Sequence, residues 1–335
     1  MKKILIVRCG ALGDLVYATS VIDALLLEYG NETLIDFVCT PSSGSLFKAD
    51  HRINKIFPLK HKKVPILLSK EKKNIIKASK EIPYDILINF EYGKQFQSLL
   101  HAVQAKKKIG ATYEKIELSQ NINRAEEIKN YLRSIISPEV LKNSFPKIIT
   151  EDFTPLKEKF HLSSNYIVLS PSNSHIYRSG INYRAWENEK WKDLIRQLTK
   201  SVQIVIVGAK NEEKFFQNFM PYPENVIDLV GKNSVIELAT ILENAKATVC
   251  TDSAVGHISA AVNTPVFVLM GPNNPTTDAP YQTPYNAVYP ISLGLECSPC
   301  YKTQTMKNCT DNICMKQITV SMVLNELKSH LQLPL

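Results

Sequence analysis

The sequence predicts an α/β protein with parallel sheets in two domains, and three observations carry the prediction. Short apolar runs alternate with amphipathic segments along the whole chain, the pattern of strands wound with helices. The 335 residues suffice for two full cores. A stretch carrying Pro138, Pro146 and Pro155, Ser137 to Lys157, has the marks of a linker at mid-chain. The domains are accordingly expected at 1–150 and 160–318, followed by a terminal segment 319–335. With 44% hydrophobic and 21% charged residues the composition is that of an ordinary soluble protein. No apolar run approaches the roughly 20 residues that span a bilayer, and the start MKKILIVRCG lacks a signal-peptide core. A cytoplasmic protein is expected.

In the first domain, Lys3 to Val7 reads as a strand and Leu15 to Tyr29 as an amphipathic helix. Between them Arg8-Cys9-Gly10-Ala11-Leu12-Gly13-Asp14 forms a turn whose glycines let the backbone approach a bound group. Asp14 falls in the first helical turn, where the helix dipole favours a carboxylate; a plain N-cap is the alternative role. Strands follow at Leu34 to Val38 and Asp85 to Asn89, alternating with helices, and Glu126 to Ile136 reads as the helix that closes the domain.

The second domain opens with the strand Tyr166 to Leu169 and the turn Ser170-Pro171-Ser172-Asn173-Ser174. Val202 to Val207 is a buried strand leading into Gly208-Ala209-Lys210-Asn211-Glu212, where a carboxylate just past a strand end suits ribose hydroxyls. Val226 to Leu229, Gly231-Lys232-Asn233-Ser234 and a helix over Val235 to Glu243 come next. The densest signal is Thr251 to Pro275. A buried strand over Ala247 to Cys250 stops at Asp252-Ser253, and a helix follows whose first turn, Ser253, Ala254 and Gly256, is nearly bare of bulk. Its exposed N–H groups suit a phosphate, and His257 adds a donor one turn in. Asp252 and Ser253 as helix caps, with His257 as a core or surface histidine, is the plainer alternative. Val266 to Leu269 is another buried strand, and Gly271-Pro272-Asn273-Asn274-Pro275 a loop at its carboxyl end.

Charge is unevenly spread. Residues 1–150 carry 24 Lys+Arg against 15 Asp+Glu, whereas 151–335 carry 16 against 17. Lys60 to Lys80 holds eight lysines and one glutamate. Such a surplus attracts an anionic partner or membrane surface, although a solvated face is the alternative. The run lacks interleaved aromatics, so nucleic acid is not expected. Cys9, Cys39 and Cys250 read as buried thiols. Cys297, Cys300, Cys309 and Cys314 follow a C-x2-C-x8-C-x4-C spacing that would accommodate a structural zinc.

Taken together, Arg8-x-Gly10-Ala11-Leu12-Gly13-Asp14 with Thr19, then Asp252-Ser253-x-x-Gly256-His257-x-x-Ala260-Ala261 and Gly271-Pro272-x-x-Pro275, resemble glycosyltransferase family 9, the lipopolysaccharide heptosyltransferases. The resemblance covers nearly the whole chain. It implies two Rossmann-like domains facing across a cleft, the GT-B architecture, and an inverting transfer of a sugar, heptose from ADP-heptose, onto a hydroxyl of the lipopolysaccharide core. Asp14 takes the place of the family's general base, and no metal or cofactor is needed for catalysis. Donor contacts are implied for Ser172, Ser174, Glu212, Asn233, Asp252, Ser253, Ala254, Gly256 and His257. Acceptor contacts are expected from Arg8, Gly10 and Gly13 and from the lysines Lys60, Lys62 and Lys63. Family members often read Lys-Arg-Trp-Pro where this chain has Tyr183-Arg184-Ala185-Trp186; Arg184 stands at the phosphate-holding lysine's place, with Lys190 as the fallback cation. No D-x-D triplet occurs. The final helix, Val320 to Leu331, is expected to pack back towards the first domain, and peripheral contact with the cytoplasmic face of the inner membrane is expected from the lysines. The other classes left open are a nucleotide-sugar-binding scaffold without turnover, a transferase using another nucleotide sugar, and an epimerase or hydrolase on the same framework.

Overall fold

The computed structural model describes residues 1–60, 62–114, 121–177 and 179–331; His61 of the lysine run and residues 332–335 of the terminal segment lie outside them. The chain divides into two compact units, Met1–Ile149 and Thr150–Leu335.

In the first unit five strands, β1 (Lys3–Val7), β2 (Leu34–Cys39), β3 (Lys55–Pro58), β4 (Tyr84–Asn89) and β5 (Ala105–Gly110), form a sheet in the order β3-β2-β1-β4-β5. Every pairing is parallel. Helices cover both faces of such a sheet, which explains why Ile4, Leu5, Ile6 and Val7 are all buried and the strand reads as an unbroken apolar run. Winding proceeds outward from β1 through β3, then restarts at β4 on the other side of β1. The order therefore reverses between β1 and β4.

The second unit repeats the design with six parallel strands: β6 (Tyr166–Ser170), β7 (Gln203–Ile206), β8 (Val226–Asp228), β9 (Ala247–Thr251), β10 (Val266–Leu269) and β11 (Val288–Ile291), in the order β11-β10-β9-β6-β7-β8. Here the reversal lies between β6 and β9. In each sheet all carboxyl ends share one edge, and ligands bind doubly wound sheets where the order reverses.

Three expectations are corrected. The helix expected over Leu15 to Tyr29 begins at Leu12 and is two helices, Leu12–Ala18 and Ser20–Tyr29. At the break the hydroxyls of Thr19 and Ser20 bond back to the carbonyls of Val16 and Tyr17, both at 2.7 Å, and this back-bonding bends a helix. The helix expected over Glu126 to Ile136 is regular only over Arg124–Asn130; beyond it Leu132 and Ile135 bond to carbonyls three residues back, as tight turns do. The proline stretch is not bare linker, because Pro138 and Pro155 each sit in the first turn of a short helix, Pro138–Lys142 and Thr154–Phe160. The terminal helix Val320–Leu331 buries Val323, Leu324 and Leu327 in the second unit's own core, beside Trp186, Trp191 and Phe267.

Candidate active site

In the first unit the turn after β1 is the loop at the reversal. The N-cap of the next helix is Ala11, which has no side-chain acceptor, so Asp14 is no cap but the third residue of an uncapped first turn. Asp14 is half-exposed, and its Oδ2 lies 3.1 Å from Nη2 of Arg8. Arg8 is itself fixed from behind by the end of β4: Nη1 donates to the Phe90 carbonyl at 2.5 Å and sits 3.9 Å from Oε1 of Glu91. Glu91 is buried, accepts the Cys9 N–H at 2.5 Å, and has its own N–H held by Asn89 Oδ1 at 3.0 Å. The guanidinium thus bridges a buried and an exposed carboxylate and aims the second. A Cβ at Gly10 would lie 3.1 Å from Asp14 Oδ2 and 3.4 Å from Arg8 Cζ, so the glycine leaves room for this ion pair. Gly13 is buried within the helical turn. Lys60, Lys62 and Lys63 are exposed on the loop after β3, at the same sheet edge.

In the second unit the ends of the three central strands β6, β9 and β10 meet. Among the described residues, Asn173 Nδ2, Ser253 Oγ, Asp252 Oδ2 and Asn273 Oδ1 are buried there with no hydrogen-bond partner. Buried polar atoms left unpaired are uncommon in folded proteins, and four from three neighbouring strand ends mark a surface shaped for a polar ligand. Ser253 is the N-cap of the helix Ala254–Ala261, yet its hydroxyl makes no cap bond, which removes the plain capping role at that residue. Ser253 thus leaves the first turn's N–H groups uncapped, as anion binding at a helix start requires. His257 is buried one turn in. Gly256 does something other than expose backbone: a Cβ there would come within 2.9 Å of Cys250 Sγ and 3.2 Å of Pro280, so the missing side chain lets the helix lie against β9. Ser172, at the end of β6, donates to Glu212 Oε2 at 2.7 Å, joining two of the expected donor residues. The same Oε2 also accepts the Ala209 N–H at 2.8 Å.

Arg184 is the cation of this constellation. Its Nε lies 3.4 Å from Asp252 Oδ2 and its Nη1 3.4 Å from the Asp252 carbonyl, distances of ionic attraction rather than of good hydrogen bonds. Burial is the largest influence on Asp252 and pushes its carboxyl up to about 6; Arg184 pulls down, and Asp278 pushes up again. The guanidinium sits 4.4 Å from the ring centre of Tyr301. Tyr301 in turn stacks on His175 and shares a 3.3 Å hydrogen bond with its Nε2. The loop that carries Arg184 is anchored by Trp186, whose ring meets Trp191 edge-on at 5.0 Å and whose Nε1 donates to the Ile318 carbonyl.

Other expected residues are placed elsewhere or otherwise used. Lys190, the fallback cation, is engaged with the Lys316 carbonyl and, at 2.7 Å, with Glu187. Ser174 is exposed on its turn. Ser234, not Asn233, caps the helix Val235–Glu243, with Glu237 completing the box; the Asn233 Nδ2 donates to the Ser234 carbonyl, and among the described residues its buried Oδ1 has no hydrogen-bond partner. Of the four clustered cysteines, Cys297 is exposed and Cys300 and Cys314 are buried; all are free thiols. Asn312 stands between two of the sulfurs, donating its N–H to Cys309 Sγ and accepting from Cys314 Sγ, both at 3.4 Å. Among the described residues no group of three or more His, Cys, Asp or Glu is placed to hold a metal ion. The segment also packs under the loop after β10, with Ser298 Oγ bonded to the Gly271 carbonyl and the N–H groups of Cys300 and Tyr301 bonded to that of Pro272. Glu91, Asn173, Asn273 and Tyr301 were not singled out by sequence. The first three stand just past strand ends, a signal that could have found them; Tyr301 carries no such mark.

Comparison with known proteins places the chain in context. Residues 75–310 match the family model described as glycosyltransferase family 9 (heptosyltransferase). A lipopolysaccharide heptosyltransferase 3 of Escherichia coli is 23% identical over 284 residues, 77% of this chain and 80% of that protein. Two solved structures share the fold at low identity. The family 9 glycosyl transferase of Veillonella parvula aligns with a TM-score of 0.80 at 16% identity over 99% of this chain and 97% of its own. The E. coli ADP-heptose LPS heptosyltransferase II aligns with a TM-score of 0.77 at 17% identity over 99% of both.

Proposed function

The chain belongs to glycosyltransferase family 9 and is a glycosyltransferase of the GT-B fold class, and from that premise we propose that it moves heptose from ADP-heptose onto a hydroxyl of the lipopolysaccharide core with inversion at the anomeric carbon. The observation that carries this reading is the set of unpartnered polar atoms at the ends of β6, β9 and β10 around Arg184, a site for a polar, anionic ligand. The names of the relatives support heptose and ADP as the donor's parts.

In the proposed step the acceptor oxygen attacks the anomeric carbon, its proton passes to the Asp14 carboxylate, and the bond from that carbon to the diphosphate oxygen breaks, the electron pair leaving with ADP. Charge growing on the diphosphate is met by Arg184 and by the N–H groups of the helix start at Ala254. Asp252 and the unpartnered amides of Asn173 and Asn273 receive sugar or ribose hydroxyls. Lys60, Lys62 and Lys63 suit an acceptor bearing phosphate and carboxylate.

The reading is tested by incubating the protein with ADP-heptose and a truncated lipopolysaccharide, and by melting it with a panel of nucleotide sugars. Transfer is expected, and ADP-heptose at a hundred times its Kd is expected to add about 2.7 kcal/mol to the stability of the second unit. Stabilisation by a different nucleotide sugar would change the donor; stabilisation with no turnover would favour the scaffold.

Arg184 offers a sharper check. Tyr301→Leu removes the ring beneath the guanidinium, a contact worth about 1 kcal/mol or more when partly desolvated. The donor KM is expected to rise several-fold with kcat nearly unchanged. Tyr301→Phe keeps the ring and is expected to retain the wild-type KM; an equal loss in both variants would assign the effect to the His175 bond instead.

A further inference from the structure

On the first unit, Ile66–Leu68 forms a single tight turn between the loop after β3 and the helix Lys70–Glu81. Leu67 is 81% exposed and Leu68 77%, and no other pair of adjacent large apolar residues among the described residues is comparably exposed. A protein seldom presents two consecutive leucines to water without a use for them. On the same loop and the helix that follows, Lys62, Lys63, Lys70, Lys73 and Lys77 are exposed.

The turn is braced rather than left loose. Lys72, alone among the lysines of this run, is buried, and its ammonium donates to the Val64 carbonyl at 2.7 Å and to that of Gln95 at 3.1 Å. Leu68 N–H bonds to the Pro65 carbonyl, and Ser69 caps the following helix by accepting the Lys72 N–H. Loop and helix are tied together at the one lysine turned inward, and the leucines project from the tie.

Two adjacent exposed apolar side chains on a segment rich in exposed lysines match one environment: the interface of an anionic bilayer, where the leucines enter the acyl boundary and the ammonium groups stay among the head groups. We propose that the Leu67–Leu68 turn is a membrane-insertion point that docks this enzyme on anionic phospholipid. A soluble anionic sugar would use the lysines but gives the leucines nothing to enter, and a second copy of the chain would bring the same positive charge against itself. The inference is independent of which donor or acceptor the enzyme uses.

The test uses the full chain and sedimenting vesicles of phosphatidylglycerol in phosphatidylcholine, against phosphatidylcholine alone. Binding to the mixed vesicles is expected, with little to the neutral ones. Leu67→Ser with Leu68→Ser, an exposed pair whose change leaves the core untouched, is expected to weaken partitioning at least about ten-fold without altering the melting temperature. Lys70→Gln, Lys73→Gln and Lys77→Gln together are expected to weaken it comparably and to remove most of its salt dependence. Wild-type partitioning in the leucine variant would overturn insertion and leave only charge attraction. Equal binding to neutral vesicles would overturn the anionic preference. A leucine variant that lost self-association in analytical ultracentrifugation while keeping vesicle binding would show the turn to be a protein interface, against the proposal.

Discussion

Asp14→Asn is expected to lower kcat at least about a hundred-fold, the scale of a removed general base, while leaving stabilisation by the nucleotide sugar as it is in the wild type. The argument is geometric. Asp14 is half-exposed at the start of an uncapped helix and is oriented by Arg8, which is pinned by the Phe90 carbonyl and faces Glu91. Asn keeps the size and the helical position and removes the proton acceptor. Folding changes little, because a carboxylate in an exposed first turn contributes only about 0.3–1 kcal/mol. The residues proposed to hold the donor all lie in the second unit, so the melting shift with ADP-heptose separates loss of chemistry from loss of binding. Unchanged kcat in Asp14→Asn would end the assignment of the base, and a lost thermal shift would mean that the substitution had acted through the fold.

The framework was legible because the two sheets are parallel and buried on both faces. Runs such as Ile4 to Val7 and Val266 to Met270 are then uniformly apolar, and they end at Arg8 and at Gly271-Pro272, which do not continue them. The loops after β1, β6, β9 and β10 stood out for this reason, and the first three of them are at the order reversals. Helix interiors were less legible. Nothing in periodicity alone predicts that Thr19 and Ser20 turn their hydroxyls back onto the backbone and split one amphipathic pattern into two helices. The glycines were read as ligand-facing, but Gly256 answers to Cys250 and Pro280, and a contact between a helix and a distant strand leaves no local trace. Tyr301 escaped for the same cause. Its partner Arg184 is 117 positions earlier in the sequence, and the segment around it drew attention only to its cysteines.

Asp252 supplies the second large effect, and its sign follows from linkage. Burial holds the carboxyl at about 6 against an ordinary 3.8, so between those values the folded protein retains a proton that the unfolded chain has lost. The stability associated with this group is present in full below pH 4 and is lost as pH rises through 6, a fall of about 3 kcal/mol. Asp252→Asn has no proton to lose. Relative to wild type, the unliganded variant is therefore expected to gain about 3 kcal/mol between pH 4 and pH 7, which melting curves at the two pH values would read directly; parallel wild-type and variant curves would refute a buried, strained carboxylate. Function is expected to move the other way. In the proposed complex an ionised Asp252, whose Oδ2 is paired with Arg184 but makes no hydrogen bond, accepts a hydroxyl of the sugar, and a charged hydrogen bond of about 1.5–3 kcal/mol corresponds to a ten- to hundred-fold loss of donor affinity in the Asn variant at neutral pH. Below pH 6 the wild-type carboxyl is itself protonated, so donor binding by wild type should weaken towards the variant's level as pH falls. The free enzyme thus holds a charge that destabilises it until the donor arrives, and stability and affinity at this one residue trade against each other through the same proton.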